Sequence, residues 1–124
     1  IKTLYKPKDI EASIIAFLAE NSLKVDDIDL VITGKNGDLR NDVVYKQLGL
    51  SLFKNTSIAN YKHLCGEYPT SSSFGLWLAA NIVKKGIVPD VVIERGKAGT
   101  APKKVLIYNH YQNKYHSLML VSAI

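Results

Sequence analysis

The chain has 124 residues, of which 47% are apolar and 22% charged, as is usual in globular proteins. This composition excludes disordered and fibrous classes, and we expect a single domain over residues 1–124. The 16 Lys and Arg against 11 Asp and Glu give a formal net charge of +5, which only weakly indicates a polyanionic partner.

No targeting or membrane-spanning segment is evident in the sequence. No run of about 18 apolar residues occurs, and residues 1–6 lack the apolar region of a signal peptide. Cys65 is the lone cysteine, which fits a reducing compartment. We therefore expect a cytoplasmic protein without a membrane span. Because the chain begins with isoleucine, we also expect a piece of a longer polypeptide.

The first predicted elements are a helix and a buried strand. Residues 9–21 carry Ile10, Ile14 and Leu18 at helical spacing. Residues 28–33 are short, largely apolar and β-branched, and they lead into Gly34, which predicts a strand that enters a loop.

A second helix and strand are predicted to follow that loop. Asp38 can cap a helix over residues 39–48, and Gly49 is expected to end it in a left-handed conformation. Residues 57–61 then form a strand. The order strand, loop, helix, strand is typical of a parallel sheet.

The third predicted helix begins near Thr70, contains Trp77 and closes at Gly86. It is apolar almost all round, and such a helix must be covered on every side. A domain of this length can hardly supply that cover, so we expect the helix to be sandwiched against a partner layer.

The end of the chain is predicted to form an antiparallel hairpin from residues 104–110 and 115–121, after a short extended piece over residues 89–93. The expected fold is therefore α/β: a layered structure with a mixed, mainly parallel sheet and a C-terminal hairpin that adds an antiparallel edge.

Two loops form the candidate site, because ligands of open α/β sheets bind at the C-terminal ends of the strands. They are residues 33–38 and 62–67. Glu67 could act as a general acid or base if an apolar pocket raised its pKa, although an exposed carboxylate is the simpler interpretation. His63 and Cys65 could suggest thiol chemistry, but a buried structural cysteine is favoured.

Cofactor and metal sites are not predicted. The segment after Gly34 is too short for a phosphate-binding loop, and His63, His110 and His116 lack metal-ligand spacing. The lysines of residues 84–104 have no aromatic residues among them to stack bases, so we expect no nucleic-acid partner.

Residues 62–73, Lys-His-Leu-Cys-Gly-Glu-Tyr-Pro-Thr-Ser-Ser-Ser, resemble the C-terminal signature of the β-ketoacyl-ACP synthases, Lys-Ser-x-x-Gly-His-x-x-Gly-Ala-Ala-Gly. Lys62 and Gly66 match that signature. Residues 31–38 resemble the strand and loop with the family's His-Gly-Thr motif, and residues 109–118 lie where the family has Phe-Gly-Phe-Gly-Gly-Thr-Asn-Ala-Ser-Leu.

The resemblance implies the C-terminal half of a thiolase-like fold, in which two similar halves stack around central helices. It also implies an acyl carrier protein as partner, together with an N-terminal ketosynthase half or a partner ketosynthase subunit in a homo- or heterodimer. The family's nucleophilic cysteine belongs to that other half.

The family's two catalytic histidines are replaced by Thr33 and Glu67, neither of which gives the hydrogen bonds of an imidazole. Only Lys62 remains, with a structural role favoured, so no catalytic residue is assigned. The leading hypothesis is a synthase-like domain, similar in kind to chain-length-factor subunits, without standard condensing activity. Two alternatives stay open: an active divergent acyltransferase that uses Lys62 and Glu67, and a basic binding module.

Overall fold

The computed structural model describes residues 1–62, 71–96 and 101–123. Its helices and strands, in chain order, are β1 (Lys2–Tyr5), α1 (Ile10–Glu20), β2 (Leu30–Thr33), α2 (Leu39–Leu50), β3 (Ser57–Asn60), α3 (Ser71–Lys85), β4 (Ile93–Arg95), β5 (Lys104–Tyr111) and β6 (Tyr115–Ser122). Short 3-10 turns span Val25–Asp27 and Asp90–Val92.

The strands form one six-stranded mixed sheet in the order β1-β6-β5-β2-β3-β4. β2 runs parallel to both β3 and β5, whereas β6 is antiparallel to β5 and to β1, and β4 is antiparallel to β3. The predicted α/β class, the mixed sheet and the C-terminal hairpin are therefore confirmed. The prediction that the sheet is mainly parallel is wrong, because three of the five pairings between the described strands are antiparallel. The hairpin does not form an edge, however, because β1 pairs with the outer side of β6.

Helices cover both faces of the sheet. Val31 of β2 and Leu106 of β5 pack with α1 and α2, while their neighbours Ile32 and Val105 pack with α3. Alternate residues of the central strands thus point to opposite helical layers. Because both faces of these strands are buried, their sequences are almost continuously apolar.

An aspartate caps the start of each of the first two helices, as predicted for Asp38. The Asp9 carboxylate accepts a hydrogen bond from the Ala12 amide at 3.2 Å, and that of Asp38 accepts one from the Arg40 amide at 2.9 Å. Both acids satisfy amides that the helix leaves unpaired.

The predicted stop at Gly49 is wrong, because α2 continues to Leu50. Gly49 is buried, and a Cβ atom there would lie 3.3 Å from Cδ1 of Ile58 on β3. Close helix-to-strand packing explains this glycine. Gly86, by contrast, ends α3 with a φ of +69°, as the sequence predicts.

Two edge strands depart from the sequence prediction. β1 was not expected from its short sequence, which includes the polar residues Lys2 and Thr3. Residues 89–93 do not form one extended piece, since the 3-10 turn Asp90–Val92 precedes β4. Both strands depend on pairing with distant partners.

Helix α3 buries one face against the sheet and leaves another open. Leu78 and Ile82 are buried, whereas the side chains of Leu76 and Trp77 are 38% and 58% exposed. The helix is therefore not enclosed on all sides by the described residues. No helix in the described parts of the chain is long and apolar enough to cross a membrane.

Candidate functional site

The C-terminal ends of β2, β3 and β5 meet at one edge of the sheet. Thr33, the last residue of β2, is in register with Asn60 of β3 and with Tyr108 of β5. Lys62 follows Asn60 by two residues and is only 8% exposed. Thr33 and Lys62 are thus brought to the same edge, as predicted for the ends of parallel strands.

The Thr33 hydroxyl is engaged within the protein. It donates a hydrogen bond to Oδ1 of Asn60. Nδ2 of Asn60 donates in turn to Oε1 of Glu94 at 3.0 Å, and Glu94 also forms an ion pair with Lys35. The first motif position therefore belongs to a polar network that links β2, β3 and β4.

Glu94 is ionised in this network. Partial burial acts to raise the pKa of its carboxyl group, but hydrogen bonds from Lys35 and Asn60, together with the charges of Lys35 and Arg95, outweigh burial and lower the pKa. The carboxylate form holds the two donors in place.

The main-chain amides of the loop after β2 are hydrogen-bonded within the protein. The Asp42 carboxylate accepts hydrogen bonds from the main-chain N–H groups of Asn36 at 3.0 Å and Gly37 at 2.9 Å. These are the groups that would have to point outwards to cradle a phosphate. This loop is therefore folded around a carboxylate of α2.

His110, on β5, was considered above only as a metal ligand and rejected, but it lies at the centre of a hydrogen-bond network. Its Nε2 lies 2.7 Å from the carbonyl oxygen of Asn41, and its Nδ1 accepts the Asn113 amide at 3.1 Å. Its own amide donates to the Tyr45 hydroxyl at 3.0 Å. Desolvation is the main cause of its lowered pKa, and the charges of His116 and Lys62 act in the same direction.

His116 lies opposite His110 in the β5–β6 register, with 5.6 Å between the ring centroids. It is 1% exposed, and its Nδ1 lies 2.7 Å from the Tyr108 hydroxyl. Its Nε2 is buried and has no hydrogen-bond partner among the described residues. Desolvation lowers the pKa of His116, and the backbone of Asn113 acts in the opposite direction.

Buried phenols surround this histidine pair. Burial raises the pKa of Tyr45 and of Tyr108, so both remain neutral hydrogen-bonding groups at ordinary pH. On the opposite face of β5, Oδ1 of Asn109 accepts the Tyr61 hydroxyl at 3.0 Å, while its buried Nδ2 is unpaired in the part of the chain that is described.

A polar pocket of about 480 Å³ opens beside His110. Asn36, Asp38, Arg40 and Asn41 form one wall, and the end of β5 with the β5–β6 turn, residues 110–113, forms the other. Its volume is that of a small-molecule site.

A second, apolar groove of about 330 Å³ lies along α3 on the other side of the sheet. Its lining includes Phe74, Trp77, Leu78, Ile87, Val91 and Val92. The rings of Phe74 and Trp77 are 5.5 Å apart, and Trp77 is largely exposed. Exposed apolar surface of this kind is typical of a face that packs against another protein layer.

Glu67, one of the three motif positions, lies outside the described residues, as do His63, Cys65 and Gly66 of the same candidate loop. Within the described ranges, no three His, Cys, Asp or Glu side chains are grouped so that they could hold a metal ion. Of the motif positions, the structure thus places Thr33 and Lys62, and it adds His110.

One sequence signal could have revealed the histidine pair. The hairpin was predicted, and a register that pairs Tyr111 with Tyr115 sets His110 directly opposite His116. The register itself depends on the turn residues, Gln112 and Asn113, which both adopt positive φ angles of 52° and 55°.

This chain matches no protein-family model, no curated protein and no solved structure. A functional assignment therefore depends on the residues at the strand ends and on the open face of α3.

Proposed function

We propose that this chain is a β-ketoacyl-ACP synthase-like C-terminal domain that works as one half of a paired, thiolase-like structure and lacks standard condensing activity. The observation that carries the proposal is the open apolar face of α3, where Trp77 is 58% exposed beside Phe74. A helix in this position needs a second layer to cover it.

The hydrogen bond of Thr33 supports the proposal that the domain lacks condensing activity. A condensing site of this kind needs hydrogen-bond donors directed at an oxygen that develops negative charge. Thr33 has one hydroxyl proton, and that proton is donated to Asn60. It leaves no donor for a substrate oxygen.

The two described histidines do not replace the missing ones. His110 has both ring nitrogens bonded to main-chain groups of Asn41 and Asn113. His116 is 1% exposed, so a substrate atom has no access to its ring. Both histidines are therefore interior residues and do not contact a substrate.

Lys62 is assigned a structural role in this proposal. Lys62 is 8% exposed, and its charge acts to lower the pKa of His110. A buried cation of this kind helps to fix the charge state of its surroundings.

The proposed partners are an N-terminal ketosynthase half or a partner ketosynthase subunit, which covers α3, and an acyl carrier protein. In the described chain, α3 carries Lys84 and Lys85 in its last turn and no acidic residue in its first turn. A covering layer with an apolar centre and acidic groups near these lysines would complement the helix.

The first test is an assay of malonyl-ACP decarboxylation with the full-length protein that contains this segment. We expect turnover at the uncatalysed background. Turnover above background that Glu67→Ala abolishes would contradict the proposal and favour the active acyltransferase that uses Lys62 and Glu67.

The second test concerns the protein layer that is proposed to pack on the exposed face of α3. Trp77→Asp in the full-length protein should weaken the packing between the two halves, seen as faster limited proteolysis between them. Tyr111→Asp is the matched control, because Tyr111 is 62% exposed but lies outside the groove. Equal proteolysis rates for both variants and the parent would contradict the paired structure.

A further inference from the structure

Two chain segments flank the polar pocket, and a single side chain joins them. One segment is the β2–α2 loop with the first turn of α2, and the other is the β5–β6 turn. His110 stands between them, 7% exposed, and bonds to a main-chain group of each.

The hydrogen bonds of His110 define its protonation state. Nε2 faces the carbonyl oxygen of Asn41, an acceptor, so Nε2 must carry a hydrogen. Nδ1 faces the amide of Asn113, a donor, so Nδ1 must be without one. Only the neutral imidazole satisfies both contacts.

The surroundings of the ring oppose a positive charge from several elements. His116 of β6 stacks on it, and Lys62 beyond β3 adds a cation. Asp42 of α2 is the acidic group that acts in the opposite direction. The phenols of Tyr45 and Tyr108 lie beside the ring at 4.8 Å and 6.3 Å between centroids, and they remain neutral.

We infer that His110 is a pH-operated latch that holds the β5–β6 turn to the first turn of α2 beside the polar pocket. Protonation places a hydrogen on Nδ1, where it faces the Asn113 N–H, so the bond between ring and turn is lost. The bond from Nε2 to Asn41 remains. The latch therefore opens on the side of the turn.

The bond to His110 holds a turn whose two central residues have left-handed backbone conformations. Gln112 and Asn113 are held at φ angles of 52° and 55°, a region that side chains other than glycine rarely occupy. The Lys114 amide still bonds to the Tyr111 carbonyl at 3.0 Å and keeps the base of the turn in place. Opening is thus a movement of residues 112 and 113 away from Asn41, and it widens the pocket. This inference does not depend on the proposed function.

The test is amide hydrogen exchange of the full chain by NMR between pH 7.5 and 5.0, with correction for intrinsic exchange. We expect the protection factor of the Asn113 amide to fall about tenfold for each pH unit below the pKa of His110. The Lys114 amide, bonded to Tyr111, should keep its protection over the same range and serves as the internal control.

His110→Gln removes the titrating group but retains a donor and an acceptor. In this variant, the protection factor of Asn113 should no longer depend on pH. His116→Gln is the matched control and should keep the pH dependence, because it leaves both contacts of His110 intact. Its midpoint should move to higher pH, since the charge that lowers the pKa of His110 is removed.

A measurement on the parent protein keeps the inference testable if the variants fold poorly. The ¹⁵N shifts of the His110 ring should report hydrogen on Nε2 alone at pH 7.5 and on both nitrogens once Asn113 protection is lost. Constant Asn113 protection while His110 titrates, or a pH dependence that survives in His110→Gln, would overturn the latch.

Discussion

The guanidinium group of Arg95 on β4 donates a hydrogen bond of 2.7 Å to the carbonyl oxygen of Gly49 near the end of α2. The same group donates to the carbonyl oxygens of Phe53 and Thr56 in the segment that follows. Carbonyls at the end of a helix lack partners within the helix. Arg95 therefore connects an edge strand to the α2–β3 connection through one planar group.

Replacement of the Arg95 guanidinium group should destabilise the fold. We expect Arg95→Lys to lower the free energy of unfolding by about 2 to 4 kcal/mol, because one ammonium group cannot reach all three carbonyls. Urea unfolding measures the effect. Arg40→Lys is the control, since Arg40 is exposed and should change stability by less than about 0.5 kcal/mol. Equal midpoints for the two variants would contradict the role of Arg95.

A methyl group at position 34 should not fit. A Cβ atom on Gly34 would lie 2.1 Å from Oδ1 of Asn109 and 2.8 Å from the hydroxyl of Tyr45. Gly34→Ala should therefore destabilise the fold by about 1 to 3 kcal/mol through overpacking. Gly49→Ala, in α2, should change stability by less than about 1 kcal/mol, since only the end of the Ile58 side chain is near. Thermal unfolding of both variants distinguishes the two sites.

The hydroxyl of Thr33 should contribute measurably to stability. Thr33→Val keeps the shape of the side chain but removes the donor to Asn60, and we expect a loss of about 1 to 2 kcal/mol. Thr3→Val, on the exposed side of β1, is the matched control and should be nearly neutral. If chemical denaturation finds the two variants equal, the Thr33–Asn60 bond does not stabilise the fold.

The histidine pair makes stability depend on pH. The pKa values of His110 and His116 are lowered from 6.5 in the folded state, so the unfolded chain binds more protons in the range below that value. Their contribution is complete above about pH 6.5 and is lost as the pH falls through the folded values, by at most about 1.4 kcal/mol per pH unit for each histidine.

Urea midpoints between pH 7.5 and 5.0 measure this dependence. Glu94 does not interfere, because its pKa is lowered from 4.5, so its stabilising contribution is nearly constant in this range and is lost only at lower pH. His110→Gln should reduce the slope of stability against pH, and an unchanged slope would show that the pKa of His110 does not differ between the folded and unfolded states.

Local signals predicted the interior of the fold well. Asp9 and Asp38 mark the starts of α1 and α2 because capping involves only the next few residues. β2 could be recognised because burial on both faces makes its sequence continuously apolar. These features can be predicted without knowing which distant residues pack against them.

Features that depend on distant pairing were predicted poorly. Gly49 looked like a helix stop, yet its reason is contact with Ile58 on another strand. β1 exists through its pairing with β6, and its own sequence is too short and polar to indicate a strand. The site shows the same limit: Thr33 was singled out, but His110 matters through a register that only the folded hairpin defines.

The pairing of β1 with β6 has a consequence for how the chain folds during translation. Tyr5 leaves the ribosome long before its partner Tyr115 has been synthesised, so β1 must wait without hydrogen-bonded neighbours. β2, α2 and β3 lie close together in the sequence and can associate meanwhile, which leaves the outer half of the sheet to close last. Any factor that slows synthesis ahead of β6 should therefore extend the time for which an unpaired strand is open to chaperones and to other nascent chains.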